Sequence, residues 1–238
     1  MRYFITYGDD KFKISRERIC RQATDMNIFD SVKYFTPLDI DDSFKEKIGK
    51  YWNERRGGGL WLWKPYIIYK TLEKLNDGDF LVYCDSGSHL DKKGRLLFLK
   101  YLSYLNEKCC VQFTDRFLEK DWTVNEIYEY FKIEKDNSLQ NSAGCQIIKK
   151  CSESMKLFGE WYRIAFERPD LFSQDYVISN RRDNSKFQDN RHDQSIISIL
   201  SKLPEHKDSI YFLSPEHLRI KKNILNIYYP ILALRDKQ

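Results

Sequence analysis

The part of the sequence that carries the clearest chemistry runs from Arg55 to Leu90. Two arginines and three consecutive glycines open it, a segment with two tryptophans, a lysine and a proline follows, and Asp85 lies near its end. The glycines have no Cβ atoms, so the backbone there can turn sharply and present its N–H groups to an anion. Trp61 and Trp63 are expected to pack against other residues, because indole surface in water costs free energy. These residue types favour a site that combines anion binding with a carboxylate.

The position of Asp85 follows from the elements on either side of it. Pro65 lies near the start of a predicted helix that ends at Leu75, and residues 76–78 (Asn-Asp-Gly) supply a turn. Residues 79–83 form an apolar run typical of a buried strand, so Asp85 lies just beyond the strand's carboxyl end. In open α/β sheets ligands bind at this edge, and a carboxylate followed by small residues suits a metal ion on a diphosphate. A turn-capping role for Asp85 explains the same residues equally well.

Strand and helix patterns alternate through the first 150 residues, which predicts an α/β fold. Ser15 and Thr123 are expected to cap helices, the latter with Glu126 as its capping-box partner. The other strands are predicted over residues 3–7, 29–35 and 108–113, and the other helices over 16–26, 41–55, 94–105, 124–131, 154–166 and 195–200. The helix over 94–105 is expected at the surface.

A long polar segment separates the last two of these helices. Residues 179–194 contain almost no apolar side chain, which is typical of a functional or disordered loop. His192 and Asp193 close the segment at the N-terminus of the next predicted helix. An acidic side chain is stabilised there by exposed N–H groups, so Asp193 either caps the helix or takes part in chemistry.

Composition sets the broad class of the protein. Its 238 residues suffice for one α/β domain, and the 15% of aromatic residues suits either a ligand with a ring or a core rich in Phe and Tyr. The net charge of +5 is compatible with an anionic substrate or with attachment to an anionic membrane face. It lacks the clustered basicity of a dedicated nucleic-acid binder. Six cysteines without a CxxC pair indicate free thiols in a reducing cytosol, and the absence of 18 consecutive apolar residues predicts no transmembrane helix.

Four segments together resemble a known family. They are residues 57–68 (Gly-Gly-Gly-Leu-Trp-Leu-Trp-Lys-Pro-Tyr-Ile-Ile), 78–87 (Gly-Asp-Phe-Leu-Val-Tyr-Cys-Asp-Ser-Gly), 191–196 (Arg-His-Asp-Gln-Ser-Ile) and 229–231 (Tyr-Pro-Ile) with Arg235. In this order they resemble the GT-A glycosyltransferases of bacteria and giant viruses that build capsules and other surface glycans. The resemblance implies a single Rossmann-like α/β domain over residues 1–238, with a central mixed, mostly parallel sheet flanked by helices. Residues 1–115 would form its nucleotide-binding part and residues 116–238 its acceptor side.

The same resemblance implies an activity. Such a transferase moves a sugar from a nucleotide-diphosphate sugar to a hydroxyl of a glycan or lipid-linked glycan, in the cytoplasm or at the inner membrane face. By position, Asp85 would hold Mn²⁺ or Mg²⁺ against the diphosphate. The usual motif is Asp-x-Asp, but position 87 is Gly87, so only one carboxylate is present. Either His89, Asp91 or Asp193 contributes to the shell, or the enzyme is metal-independent and uses Lys and Arg.

The resemblance also assigns the residues on either side of the reacting bond. His192 and Asp193 are the catalytic candidates, as a base for the acceptor hydroxyl or as further metal ligands. An inverting enzyme needs such a base, whereas a retaining enzyme can use the leaving phosphate, and the sequence leaves both open. Cations would meet the charge that develops on the leaving diphosphate. The residues assigned to the donor nucleotide and diphosphate are Tyr7, Gly8, Asp9, Arg56, Gly58, Trp63, Lys64, Ser86 and Arg235.

Two other classes of function compete with this one. A nucleotide-sugar or glycan binding module without turnover would explain the missing second aspartate. A nucleic-acid enzyme with a metal-bound acid would need a second close carboxylate and a basic stripe, and the sequence shows neither clearly. The sequence leaves the sugar, the nucleotide, the acceptor and the oligomeric state open.

Overall fold

A single mixed sheet forms the centre of the protein. The computed structural model describes residues 1–219, 221–223 and 225–234. Within them the sheet has seven strands, in the order β2-β1-β3-β7-β5, with β6 and β8 also paired to β5. The strands are β1 (Arg2–Tyr7), β2 (Ser31–Phe35), β3 (Phe80–Cys84), β5 (Cys110–Leu118), β6 (Leu139–Asn141), β7 (Cys145–Lys149) and β8 (Ile210–Leu213). Short strands β4 (His89–Leu90) and β9 (Ile231–Leu232) pair separately.

Most of these strands run in one direction. β1 is parallel to β2 and β3, and β5 is parallel to β8, while β7 is antiparallel to both β3 and β5. Strands β1, β2, β3, β5 and β8 therefore share a direction, and their carboxyl ends lie at one edge of the sheet. This edge is where the predicted site residues around Asp85 were expected.

Helices cover both faces of the sheet. Along β3, Leu81 and Tyr83 enter one hydrophobic cluster and Val82 and Cys84 enter the other, as the two-residue alternation of a strand requires. The first cluster packs against α4, α7, α8 and α10, and the second against α1 and α5. The helices are α1 (Lys13–Asp25), α2 (Asp42–Ile48), α3 (Gly57–Leu60), α4 (Trp63–Glu73), α5 (Arg95–Ser103), α6 (Glu119–Trp122), α7 (Asn125–Phe131), α8 (Ser152–Glu167), α9 (Val177–Asp183), α10 (Asp193–Leu200), α11 (Pro204–Lys207) and α12 (Glu216–Arg219).

Both predicted helix caps are wrong. Helix α1 begins at Lys13, so Ser15 lies inside it and is buried. Thr123 precedes α7 by two residues, and its hydroxyl donates to Glu119 at 2.6 Å instead of accepting from the helix. Helix α1 instead follows directly on a 3₁₀ turn over Asp10–Phe12, whose cap is Asp9.

Three predicted element bounds also need correction. The helix expected over 41–55 ends at Ile48 and continues as a 3₁₀ helix over Gly49–Asn53. The helix expected over 94–105 spans Arg95–Ser103 as α5, and it lies at the surface as predicted, with Phe98, Tyr101 and Leu102 buried on its inner face. Strand β5 continues to Leu118, five residues beyond the predicted end at 113.

The polar segment 179–194 is not a loop throughout. Its first part is helical, because α9 extends to Asp183, and the side chains of Asn180, Phe187 and Asn190 are buried. Hydrogen bonds replace apolar anchors here: Asn190 donates through Nδ2 to the carbonyls of Leu171 and Ser173, both at 2.9 Å. The described part of the chain contains no helix long and apolar enough to cross a membrane.

Candidate functional site

A cavity of about 680 Å³ opens at the edge where the parallel strands end. Its walls come from the residues that follow β1 and β3, from the segment around α3, from the loop between β6 and β7, and from the start of α10. Every predicted site residue that the structure describes lines it. These are Tyr7, Gly8, Asp9, Arg56, Gly58, Trp63, Lys64, Asp85, Ser86, His192 and Asp193. Arg235, also predicted for the donor, lies outside the described residues.

The donor end of the cavity is built around an aromatic pair. Trp63 stacks on Tyr7 with 3.7 Å between ring centroids and 14° between planes, and its Nε1 donates to the carbonyl of Gly57 at 2.9 Å. Trp61 lies beside His192 with ring centroids 5.0 Å apart. The expectation that both tryptophans pack against other residues is confirmed. Their packing fixes the path of the glycine segment over the cavity.

The three glycines fold tightly, but two of their amides are not available to an anion. Gly57 has φ of +64°, and a Cβ there would lie 2.3 Å from the ring of Trp61, so no larger residue fits this turn. The N–H of Gly59 donates to the Glu54 carbonyl at 2.8 Å, and that of Gly58 is 3.4 Å from the Arg55 carbonyl. The prediction that these amides face an anion is wrong for Gly59, whose N–H closes the turn instead.

Lys64 joins two carboxylates from distant parts of the chain. Its Nζ lies 3.0 Å from Oδ1 of Asp85, which follows β3, and 2.5 Å from Oδ2 of Asp193, which begins α10. We call these three residues the Lys64 cluster. The side chain of Lys64 is only 2% exposed, that of Asp193 7% and that of Asp85 38%. A buried ammonium is tolerated only when it is paired, so the two carboxylates make this position possible.

The cluster shifts the pKa values of its members. Burial alone would lower the pKa of Lys64, but the carboxylates of Asp193 and Asp85 outweigh burial and raise it. Burial raises the pKa of Asp193 to about 6, with Asp85 adding to the shift and Lys64 opposing it. Tyr83 donates its hydroxyl to Asp85 Oδ1 at 2.5 Å. With a pKa of about 6, Asp193 is mostly ionised at pH 7 beside the Lys64 ammonium.

His192 is held as a neutral, positioned ring. It is buried, its Nδ1 donates to the carbonyl of Phe172 at 2.5 Å, and its Nε2 lies 3.4 Å from Gln174. Burial lowers its pKa to about 4, so the ring is neutral at pH 7. With φ of +54° it forms the turn that begins α10 and directs Asp193 to Lys64. The catalytic roles of His192 and Asp193 both stay predictions.

Sequence reasoning missed the group at the opposite end of the cavity. Asp115, near the end of β5, is buried and accepts from Arg219 at 2.8 Å, with Arg191 at 3.4 Å. The guanidinium of Arg191 lies over the rings of Phe117 and Trp122, at 4.3 and 5.3 Å from their centroids. Residue 191 belonged to a recognised segment without an assigned role. Asp115 carried no local signal, because its two partners are distant in sequence.

Comparison with known proteins places the fold. No protein-family model matches the sequence, and no curated protein sequence matches it. The structure is similar to that of a glycosyltransferase involved in the glycosylation of the major capsid of PBCV-1, with a TM-score of 0.50, 8% identity, and coverage of 97% of this chain and 91% of that one. It is also similar to the bifunctional glycosyltransferase WbbM, with a TM-score of 0.51, 11% identity, and coverage of 90% of this chain and 39% of WbbM. The fold is that of the GT-A glycosyltransferases.

The predicted fold class is thereby confirmed, while the division of the GT-A domain at residue 115 stays a prediction. The family resemblance predicts that the strand-end acid, Asp85, holds a divalent ion, so the residues around it bear on that role. His89 and Asp91 are absent from the cavity lining, and Gly87 supplies no ligand. Among the described residues no three His, Cys, Asp or Glu side chains are grouped so that they could hold a metal. The protein side chains alone do not fit Mn²⁺ or Mg²⁺, since hard cations need several oxygen ligands and Asp85 Oδ1 already contacts an ammonium.

Proposed function

We propose that this protein is a glycosyltransferase that moves a sugar from a nucleotide-diphosphate sugar to a hydroxyl of a glycan or lipid-linked glycan. The observation that carries this proposal is the cavity at the carboxyl ends of the parallel strands, in which a buried carboxylate, Asp193, contacts the buried ammonium of Lys64. Ligands bind at this edge in open α/β sheets. The GT-A fold supports the transferase class.

The donor is placed at the end of the cavity formed after β1. Tyr7 and Trp63 offer apolar ring surface for a nucleotide, with Asp9 beside them for a ribose hydroxyl. Arg56 and Lys64 lie toward the middle of the lining, where the diphosphate follows the nucleoside. Departure of a nucleoside diphosphate increases negative charge on its leaving oxygen, and cations positioned beforehand stabilise that charge.

The acceptor is placed at the end formed by β5 and its neighbours. Strands β1 and β5 are separated by β3 and β7, so three strand spacings put about 14 Å between the two ends. Phe117 and Trp122 supply aromatic surface for a sugar ring there. Asp193 lies between the ends and is the residue proposed to accept the proton of the attacking hydroxyl in an inverting reaction.

The biological setting follows the family resemblance. We place the reaction in polysaccharide or surface-glycan synthesis, in the cytoplasm and at the inner membrane face where a lipid-linked acceptor is available. The net charge of +5 supports attachment to an anionic surface.

A panel of nucleotide sugars tests the proposal. The protein is incubated with each donor and Mn²⁺ in the absence of acceptor, and release of nucleoside diphosphate is measured beside the thermal shift. We expect one donor to raise the melting temperature by mass action and to be hydrolysed slowly. Asp193→Asn should bind the same donor with little turnover, and Asp208→Asn, at the surface, should behave as wild type. Binding without hydrolysis or transfer would support a binding module instead, and a panel without any response would reject the proposal.

A further inference from the structure

We propose that this enzyme neutralises the donor diphosphate with its own side-chain cations, and that the ammonium of Lys64 takes the place that a divalent ion has in metal-dependent GT-A enzymes. This inference rests on the proposed function and specifies how the donor is held.

The first support is the environment of Asp85, the acid at the metal position. Its Oδ1 accepts from the Tyr83 hydroxyl at 2.5 Å and lies 3.0 Å from Lys64 Nζ. Its Oδ2 lies against Gly144, since a Cβ at that glycine would be only 3.1 Å from it. Its backbone N–H donates to the Gly144 carbonyl at 2.8 Å, which fixes the residue in place. A divalent ion on this carboxylate would therefore lie close to a fixed positive charge, because the Lys64 ammonium already occupies the space between Asp85 and Asp193.

The second support is the position of Lys64 itself. It lies in the first turn of α4, and the backbone around it is buried between the sheet and α8. The carboxylates of Asp85, just after β3, and Asp193, in α10, contact its ammonium from two sides. The charge therefore stays in place when a ligand enters. A metal ion in this fold has the same task of linking the strand-end acid to the rest of the site. In this protein the ammonium of Lys64, a side chain of the protein itself, makes that link.

The third support is the charge of the cavity lining. Among the described lining residues, six are cationic and four are acidic. The cations are Lys11, Arg55, Arg56, Lys64, Arg191 and Arg219, and the acids are Asp9, Asp85, Asp115 and Asp193. Arg191 and Arg219 pair with Asp115 at the acceptor end, so the cations available to the donor diphosphate and its two negative charges are Lys11, Arg55, Arg56 and Lys64. Arginine and lysine thus provide the neutralisation without a metal.

The reaction balances without a metal. The bond from the anomeric carbon to the diphosphate oxygen breaks and its electron pair leaves with that oxygen, while the acceptor oxygen bonds to the anomeric carbon. The acceptor proton passes to Asp193 in an inverting reaction or to the leaving phosphate in a retaining one. The added negative charge on the diphosphate is what the cationic lining stabilises.

The test compares wild type and Lys64→Ala in a chelator and in Mn²⁺. With the donor found in the panel, wild-type turnover and nucleoside diphosphate binding in EDTA are expected within about twofold of their values in Mn²⁺. Lys64→Ala should lose about 100-fold or more of turnover in EDTA, as removal of a preorganised charge does. Because it leaves two facing carboxylates without their cation, the variant should regain activity when Mn²⁺ is added. Lys70→Ala is the matched control, since Lys70 lies on the same helix but outside the cavity lining, where its ammonium contacts Glu73 and the rings of Tyr69 and Tyr162.

The outcomes separate this inference from the proposed function. Wild-type turnover that requires Mn²⁺ would overturn the inference and leave the transferase standing. Metal-independent turnover that survives in a folded Lys64→Ala variant would also overturn it. If no donor is bound or consumed with or without metal, the proposed function itself fails. Wild type alone decides the metal requirement, so the test holds even if the variant does not fold.

Discussion

Under the proposed role of Asp193 as proton acceptor, activity is expected to have a threshold near pH 6. Burial raises its pKa to about 6 from an ordinary value of 3.8, and only the ionised carboxylate can accept a proton. A group with this pKa is about 90% ionised at pH 7 and about 10% ionised at pH 5. We therefore expect kcat/KM to fall about ninefold between these values and tenfold per unit below them. Asp193→Asn should lose about 100-fold or more of activity at pH 7 and lose the acid limb.

His192 provides the control that distinguishes titration of Asp193 from titration of a histidine. A histidine of ordinary pKa would also produce a limb near pH 6 to 7, but burial lowers the pKa of His192 to about 4. His192→Gln should reduce the rate by disturbing the turn before α10, yet keep the midpoint near 6. The assay is the initial rate of nucleoside diphosphate release between about pH 4.5 and 8. A limb that persists in Asp193→Asn, or one that disappears in His192→Gln, would refute the reasoning.

The same ionisation affects stability in a defined direction. Because the pKa of Asp193 is raised in the folded protein, its stabilising contribution is complete below pH 3.8 and is lost as the pH rises through about 6. About two pKa units correspond to ~3 kcal/mol of unfolding free energy. Denaturant unfolding at pH 4 and 7 should show this dependence in wild type and not in Asp193→Asn. Equal dependence in both proteins would mean that Asp193 titrates elsewhere.

Three further changes have expected outcomes. Glu119 is buried and accepts from four side chains, those of Thr123, Gln140, Ser198 and Lys202. Glu119→Gln should therefore lower the free energy of unfolding by about 3 kcal/mol in urea, whereas Glu167→Gln at a half-exposed pair should change it by less than about 0.5 kcal/mol. A Cβ on Gly94 would lie 2.5 Å from the Pro230 nitrogen, so Gly94→Ala should lower the free energy of unfolding by about 1–3 kcal/mol. An unchanged melting temperature would show that the backbone at Pro230 shifts to make room for the methyl group. Asp115→Asn should raise the acceptor KM about tenfold and leave donor hydrolysis within about twofold, because the two arginines that it orients lose their partner. Parallel losses of both activities would place Asp115 outside the acceptor end.

Local patterns explain why so much of the site could be predicted. Tyr7 and Asp85 each follow an apolar run, and the end of a buried strand is legible from a few adjacent residues. Once parallel strands bring their carboxyl ends to one edge, residues predicted separately meet in one cavity. The family resemblance added the segment around His192 to the predicted site. This segment is far from Asp85 in sequence, so local patterns do not indicate that the two are close in space.

Long-range contacts explain what could not be predicted. Asp193 was expected to cap a helix or take part in chemistry, and nothing local shows that its partner is Lys64. The segment around Asn180 has the composition of a loop, yet its side chain accepts from the Asn125 N–H at 2.7 Å and donates to Glu126 at 2.9 Å. Hydropathy patterns indicate which apolar residues are buried. They do not identify segments that are held in place by hydrogen bonds of amide side chains.

The strand order has a consequence for how such an enzyme diversifies. The donor end around Tyr7 lies at β1, and the end around Asp115 lies at β5. Strands β3 and β7 lie between them in the sheet. Substitutions separated by more than about 10 Å usually have independent effects. Under the proposed function, substitutions at Phe117 and Trp122 are therefore expected to change the acceptor without changing the donor. A substitution at Lys64 is expected to affect both ends, because this residue contacts elements from both halves.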